Sequence, residues 1–251
     1  KEKSPNISAL IVSAGDHKIN NTQRSLNKIS DKPLINHQIE TFKKSGIDKI
    51  KITVNNLSEF DPYLDKDINV VEIKDIEQNQ MLNSIMTGIE NIEGPAIITY
   101  GDILFNNKII SGLVSNENDI VIAVDSSFKY HKHDIDKKLE LVSYANPDSN
   151  LSRRKLRMTD TFEVKKISKN LNIEEAQSEF FGLAYFSKNG ISKLKSCYEE
   201  IKKDKTSSVF IDILNFMVKK EIKVSCNEFD GGWIELHTED DFKLAEKELE
   251  N

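Results

Sequence analysis

The sequence predicts an α/β protein built on a largely parallel sheet. Three observations carry that prediction. Short β-branched apolar runs recur through the first half of the chain. Stretches with helical spacing of apolar residues alternate with them. The runs are apolar on both faces, which suits strands covered by helices on each side.

In chain order, Ala9–Val12 is the first buried strand, followed by Ile50–Val54, Val70–Ile73, Ala96–Tyr100 and Ile120–Val124. Between the first two lies a helix over Pro33–Ser45. Pro33 suits a first helical turn, Leu34, Ile39 and Phe42 share a face, and Gly46 follows as a stop. A second helix is predicted over Gln78–Ile92, with Leu82, Ile85, Met86 and Ile89 on one stripe. The second half is mixed. Leu139–Tyr144 and Glu179–Phe186 read as strands. Ile191, Leu194, Tyr198 and Ile201 have helical spacing, as do Phe210, Ile213, Leu214 and Met217. Ile222–Cys226 is a short strand. Thr238–Leu249 closes the chain as a helix, with Thr238 as N-cap and Asp241 completing an imperfect capping box. Asn146–Arg154 reads as a loop and Lys202–Lys205 as a charged connector. No repeat and no domain boundary is visible, so residues 1–251 read as one domain.

The composition narrows the function. A net charge of −6 argues against a nucleic-acid scaffold, and no apolar run approaches the ~20 residues of a membrane span. Two cysteines, Cys197 and Cys226, make neither a disulfide framework nor a four-thiolate zinc site. The N-terminus lacks the apolar stretch of a secretory signal, so the cytoplasm is the expected compartment. The chain does not begin with Met, which fits either a trimmed chain or a domain cut from a longer polypeptide.

Three places could carry chemistry. Ser13-Ala14-Gly15 ends the first strand, where a glycine lets backbone N–H groups approach a phosphate; a lone glycine after a strand is more often just a turn. Tyr100-Gly101-Asp102 places an acid at the carboxyl edge of the sheet, where open α/β sheets bind ligands and where a carboxylate can hold Mg²⁺; the alternative is a helix-capping Asp. Gly231–Thr238 alternates so that Trp233, Glu235 and His237 share one face, and Glu235 could complete a metal site with Asp102; the alternative is a Gly-Gly turn beside a half-buried Trp. His131 and His133 form an H-x-H pair without a third ligand at metal spacing and read as a solvated loop. No Gly-x-Ser-x-Gly elbow and no Walker lysine loop is present.

Taken in order, these pieces resemble the nucleotidyltransferase superfamily that activates phosphate-bearing small molecules with an NTP. Ala9–Gly15 (ALIVSAG) resembles its opening strand and phosphate turn, and Arg24–Gln38 (RSLNKISDKPLINHQ) its signature cation and helix start. Ile97–Phe105 (IITYGDILF) resembles its metal-binding strand end, and Glu179–Leu183 (EFFGL) and Gly232–Phe242 (GWIELHTEDDF) its later strand and closing segment. Tyr100–Phe105, Val124-Asp125 with Glu140-Leu141-Val142, and Ser178–Leu183 resemble the phosphocholine and phosphonate cytidylyltransferases, whose phosphonate branch is often fused or adjacent to phosphoenolpyruvate mutase. Three features depart from the family pattern. The loop after Gly15 is shortened, Arg24 stands at the usual lysine, and His237 stands at the second metal-ligand aspartate.

The resemblance implies a three-layer, Rossmann-like nucleotidyltransferase fold with a mixed, mostly parallel sheet. It implies Mg²⁺ on Asp102 and Glu235, and transfer of CMP from CTP to a small phosphonate or phosphocholine-like substrate with release of pyrophosphate. Lys18 and Arg24 would neutralise the triphosphate beside the catalytic Asp102. Ser13, Ala14, Gly15, Gln80, Ser84, Tyr100 and Gly101 would hold the nucleotide. Asp125, Tyr130, Lys169, Glu179 and Trp233 are the candidates for the second substrate. The partners so implied are small molecules, with no nucleic acid and no membrane, a phosphoenolpyruvate mutase domain in the same chain or operon, and a homodimer. The rival readings are a sugar-1-phosphate nucleotidylyltransferase and a catalytically degenerate nucleotide- or partner-binding domain.

Overall fold

A computed structural model of the 251-residue chain describes residues 6–15, 17–74, 80–131, 138–144, 161–204 and 208–250. The chain opens with β1 (Ser8–Ser13). Two ribbons of two-residue strands follow, β2 (Lys18–Ile19) with β3 (Thr22–Gln23) and β4 (Lys28–Ile29) with β5 (Lys32–Pro33). Their turns, Asn20-Asn21 and Ser30-Asp31, have positive φ at both residues, the conformation of the tightest hairpins. Next come α1 (Leu34–Lys44), β6 (Lys49–Val54), the single turn α2 (Leu57–Phe60), β7 (Asn69–Glu72), α3 (Gln80–Ile89), β8 (Ala96–Tyr100), β9 (Ile103–Phe105), α4 (Asn107–Val114) and β10 (Ile120–Asp125). The second half adds β11 (Leu141–Tyr144), β12 (Thr161–Ser168), β13 (Ser178–Phe186), α5 (Lys188–Ile201), α6 (Phe210–Lys219), β14 (Ser225–Phe229), β15 (Trp233–Glu235) and α7 (Glu239–Glu250). The loop predicted over residues 146–154 lies outside the described residues, as do His133, Lys205 and the predicted helix start at Gln78.

Helices do cover both faces of the sheet. Along β1, Ala9 and Ile11 pack with Ile35, Ile39 and Phe42 of α1 and Ile109, Ile110 and Leu113 of α4. Leu10 and Val12 point the other way, into α3, α5 and α6. Each of the larger side chains among these, taken fully out of water, contributes about 1.5–3 kcal/mol, which drives the layering. At Gly88 an added Cβ would sit 2.6 Å from Leu10, so α3 lies close against β1.

The expectation of a mostly parallel, open sheet is overturned. The nine strands run β10-β14-β12-β11-β13-β8-β1-β6-β7, and β10 pairs again with β13. Only β1–β6, β1–β8, β6–β7 and β10–β14 are parallel. The pairs β10–β13, β11–β12, β11–β13, β12–β14 and β8–β13 are antiparallel. Strands β10, β14, β12, β11 and β13 thus close into a small barrel at one side of the parallel portion. The closure turns on β13. One edge lies along β10, while the other pairs first with β11 and then with β8. Gly182, at φ +94°, marks the change of partner, and an added Cβ there would meet Tyr100 Cδ2 at 2.4 Å. All nine residues of β13 are buried, so the sequence shows a strand covered on both faces but not its direction.

The closing helix is capped as its sequence predicts. Asp241 Oδ2 accepts from Thr238 N at 2.8 Å, and Asp241 N donates to Thr238 Oγ1 at 3.3 Å. Phe242 and Ala245 of α7 then pack with Ile29, Leu34 and Leu236. This ties the chain's end to the β4–β5 ribbon, beside the carboxyl edge of the parallel strands.

Candidate functional site

The carboxyl ends of β1 and β8 lie side by side, with Val12 opposite Tyr100 and Gly101 N donating to Val12 O at 2.9 Å. Above them opens a cleft of about 850 Å³. Its walls bring together Ser13, Ala14, Gly15, Arg24, Tyr100, Gly101, Asp102, Lys169, Glu179, Trp233 and Glu235 from the sequence-predicted set.

Close packing fixes the floor. A Cβ on Gly101 would fall 2.2 Å from Ser13 Oγ and 2.7 Å from Val12 O, so no other residue lets the two strand ends approach this far. From α1, the buried amide of Gln38 donates to Tyr100 O at 2.9 Å and Ile103 O at 2.7 Å, holding the turn that carries Asp102. Sequence reading passed over Gln38. The available signal was a polar residue on the same helix face as Leu34, Ile35, Ile39 and Phe42.

Asp102 heads a short strand rather than capping a helix. Strand β9 pairs with β15, with Glu235 opposite Ile103, and Leu236 N donates to Asp102 O at 2.8 Å. That register delivers Glu235 and His237 to Asp102. His237 Nε2 lies 2.8 Å from Asp102 Oδ2 and 2.9 Å from Glu235 Oε1, and Arg24 Nη1 reaches Asp102 Oδ2 at 3.3 Å. Burial works to raise the Asp102 carboxyl. The hydrogen bond and charge of His237, with Arg24 behind them, outweigh burial and hold it below the usual aspartate range. Asp102, Glu235 and His237 offer three ligand atoms all within 4.8 Å of one another, so the cluster is chemically able to hold a divalent cation.

Also in the cleft, Tyr100 Oη donates to Glu140 Oε2 at 2.9 Å, and Lys169 Nζ stands 3.8 Å from Glu140 Oε1. Burial, then the charge of Glu140, raises the Tyr100 phenol well above its usual value, so it remains a donor. Trp233 stacks on Phe181 with centroids 4.5 Å apart and planes at 6°. Lys138, His17, Gln23 and Phe181 also line the cleft and were not singled out from the sequence.

Other predicted residues lie elsewhere. Lys18 sits on the short ribbon with Glu59 at 3.7 Å, outside the lining. Ser84 is buried in α3, and the side chain of Gln80 lies outside the described residues. Tyr130 is 90% exposed and does not reach the cleft lining. Asp125 is 2% exposed and accepts from Trp233 Nε1 at 2.7 Å, Gly231 N at 3.1 Å and Ser127 N at 2.7 Å. It supports the wall rather than facing the cavity. No described helix is long and apolar enough to cross a membrane.

Comparison with known proteins follows the same lines. The sequence profile of the MobA-like NTP transferase domain matches residues 9–143, more than half of the chain. A CTP:phosphoglutamine cytidylyltransferase of Campylobacter jejuni is 24% identical over 234 residues, covering 85% of this chain and 87% of that protein. The inositol-1-phosphate CTP transferase of T. maritima superposes with a TM-score of 0.75 at 15% identity, covering 97% of this chain and 96% of its own. A UDP-glucose pyrophosphorylase complexed with UDP-glucose superposes at 0.73 and 15% identity, covering 97% and 98%. These proteins differ in acceptor, and they do not single out a phosphocholine or phosphonate branch.

Proposed function

Because the chain belongs to the MobA-like NTP transferase family, and so to the nucleotidyltransferase enzymes, we propose that this cleft transfers a nucleotidyl group from an NTP to a phosphate-bearing small molecule. The observation that carries the proposal is one convergence. The backbone turn Ser13–Gly15, the guanidinium of Arg24 and the Asp102–Glu235–His237 cluster meet over a single floor.

An acceptor phosphate oxygen attacks the α-phosphorus, the bond to the β-phosphate bridging oxygen breaks, and pyrophosphate leaves with that electron pair. The attacking oxygen is already anionic at neutral pH, so the chain needs no general base. Its work is positioning and charge neutralisation. The backbone of the Ser13–Gly15 turn and the side chain of Arg24 receive the triphosphate. Lys169 receives the acceptor's phosphate, Glu179 and the Phe181–Trp233 stack bound the rest of the acceptor, and Gln38 holds the Asp102 turn in register. Asp102, Glu235 and His237 would hold a divalent cation, which when bound supplies positive charge at the α-phosphate. Mg²⁺ is the ion that the sequence resemblance implies.

Sugar-1-phosphates fall within this acceptor class, and the whole-chain likeness to UDP-glucose pyrophosphorylase supports them. The narrower reading, CMP transfer from CTP to a phosphonate or phosphocholine-like acceptor, is favoured by the cytidylyltransferase activity named for the C. jejuni relative. A pyrophosphate-release screen decides. It crosses CTP, UTP, ATP and GTP with sugar-1-phosphates, phosphocholine, phosphoglutamine and simple phosphonates. Release with at least one pair supports nucleotidyl transfer, and a preference for CTP over UTP of tenfold or more, about 1.4 kcal/mol, supports the narrower reading. Silence across the whole matrix refutes the proposal.

A further inference from the structure

We propose that His237 makes the cluster a site for a six-coordinate first-row transition-metal dication of the Mn²⁺-to-Co²⁺ class in preference to Mg²⁺. The inference rests on the reading of the cleft as a nucleotidyltransferase site and deepens it.

Two carboxylates alone would form an ordinary Mg²⁺ site, since Mg²⁺ takes hard oxygen ligands and keeps most of its water. An imidazole nitrogen changes the balance. It is a softer donor, and affinity for nitrogen-containing sites rises from Mn²⁺ through Fe²⁺ to Co²⁺, with Mg²⁺ poorly served. The geometry makes the nitrogen part of the site rather than a bystander. His237 Nε2 approaches both Asp102 Oδ2, at 2.8 Å, and Glu235 Oε1, at 2.9 Å. That nitrogen and the two carboxylate oxygens lie within 4.8 Å of one another, so one cation among them can meet all three. Separations of 2.8 and 2.9 Å are also close to those between adjacent ligands of an octahedral ion, ~3 Å for bonds of about 2.1 Å.

The presentation is built into the fold. Leu236 N bonds Asp102 O at 2.8 Å, and His237 N bonds Asp241 Oδ2 at 2.9 Å. The backbone on both sides of the imidazole is therefore pinned, one bond to the strand carrying Asp102 and one to the helix that follows. An aspartate at 237 would offer oxygen from the same backbone. The chain offers nitrogen instead.

The test uses the full chain with metal alone, Mn²⁺ and Mg²⁺ in separate titrations, on the wild type and on His237→Asp. Position 237 is partly exposed, and circular dichroism checks the fold of the variant. Pulsed electron paramagnetic resonance of bound Mn²⁺ should show modulation from a directly coordinated ¹⁴N nucleus in the wild type and none in His237→Asp. The ratio of Mn²⁺ to Mg²⁺ affinity should fall at least tenfold in the variant. The ratio is read between the two proteins because all-oxygen sites can also favour Mn²⁺. Bound Mn²⁺ without nitrogen modulation, or an unchanged ratio, overturns the inference. Pyrophosphate release separates the two readings. Release under Mg²⁺ with no nitrogen coupling leaves the function and removes the inference, whereas nitrogen-coupled Mn²⁺ without release from any NTP does the reverse. No binding of either dication overturns the metal site altogether.

Discussion

Replacing Gly101 by alanine should damage both stability and turnover, and the structure sets the size of the effect. The new Cβ would lie 2.2 Å from Ser13 Oγ, 2.7 Å from Val12 O and 3.2 Å from Ser13 Cα. Rotating the Ser13 side chain relieves the first contact alone. The other two involve backbone, so the ends of β1 and β8 must separate by roughly half an ångström and stretch the 2.9 Å bond from Gly101 N to Val12 O. Overpacking of this kind costs about 1–3 kcal/mol. The same movement carries the Ser13–Gly15 turn away from Asp102, and a misplacement approaching 1 Å costs up to ~10² in rate. The assay is a urea denaturation midpoint beside the rate of pyrophosphate release. Adding Ser13→Ala should recover only a minor part of the lost stability, because Val12 O remains in the way. A Gly101→Ala protein within about 0.5 kcal/mol of wild type, turning over at the wild-type rate, would refute the reasoning.

Asp125→Asn should lose about 2–3 kcal/mol, because an amide group must face donors that the carboxylate now accepts; emission from Trp233, the sole tryptophan, should shift as its indole loses its partner. Gln38→Leu should cost about 2 kcal/mol in urea denaturation and lower turnover, since the carbonyls of Tyr100 and Ile103 lose their shared donor. Asp119 gives a pH signature. Hydrogen bonds from Ser187 and then Lys193 and Asn189 lower its carboxyl below the usual 3.8. Its stabilisation is therefore complete above that value and is lost as pH falls through the lower, folded-state value. Asp119→Asn should cost about 1 kcal/mol at pH 7, given its partial exposure, and should flatten the acid limb of a stability-against-pH curve.

Much of the sheet's parallel portion was legible because β1 and β8 are nearly continuous apolar runs and β6 buries Ile50, Ile52 and Val54. So was the closing helix, whose Thr238–Asp241 cap is a local signal. The barrel was not. Its closure depends on pairings between residues far apart in sequence, and β13 hides its antiparallel direction behind uniform burial. Strand β12 escaped notice because its pattern over TFEVKKIS buries only Phe162, Val164 and Ile167 among charged neighbours. Helix α4, started by Asn106 Oδ1 accepting from Lys108 N, was missed beside the stronger signal of Asp102. In the site, Asp102, Glu235 and Trp233 were visible because strand ends and alternation are local properties. Asp125 was a candidate for the second substrate through the resemblance; only the fold shows that its oxygens are committed to Trp233, Gly231 and Ser127.

The central claim is that the cleft performs nucleotidyl transfer and that Asp102 anchors its charged cluster. The most direct measurement is pyrophosphate release by wild type and Asp102→Ala with the best NTP and acceptor pair, each with saturating dication, beside circular dichroism of both. The account predicts a folded variant whose turnover falls at least 10³-fold, about 4 kcal/mol of lost transition-state stabilisation. A folded Asp102→Ala protein that keeps wild-type turnover would contradict it.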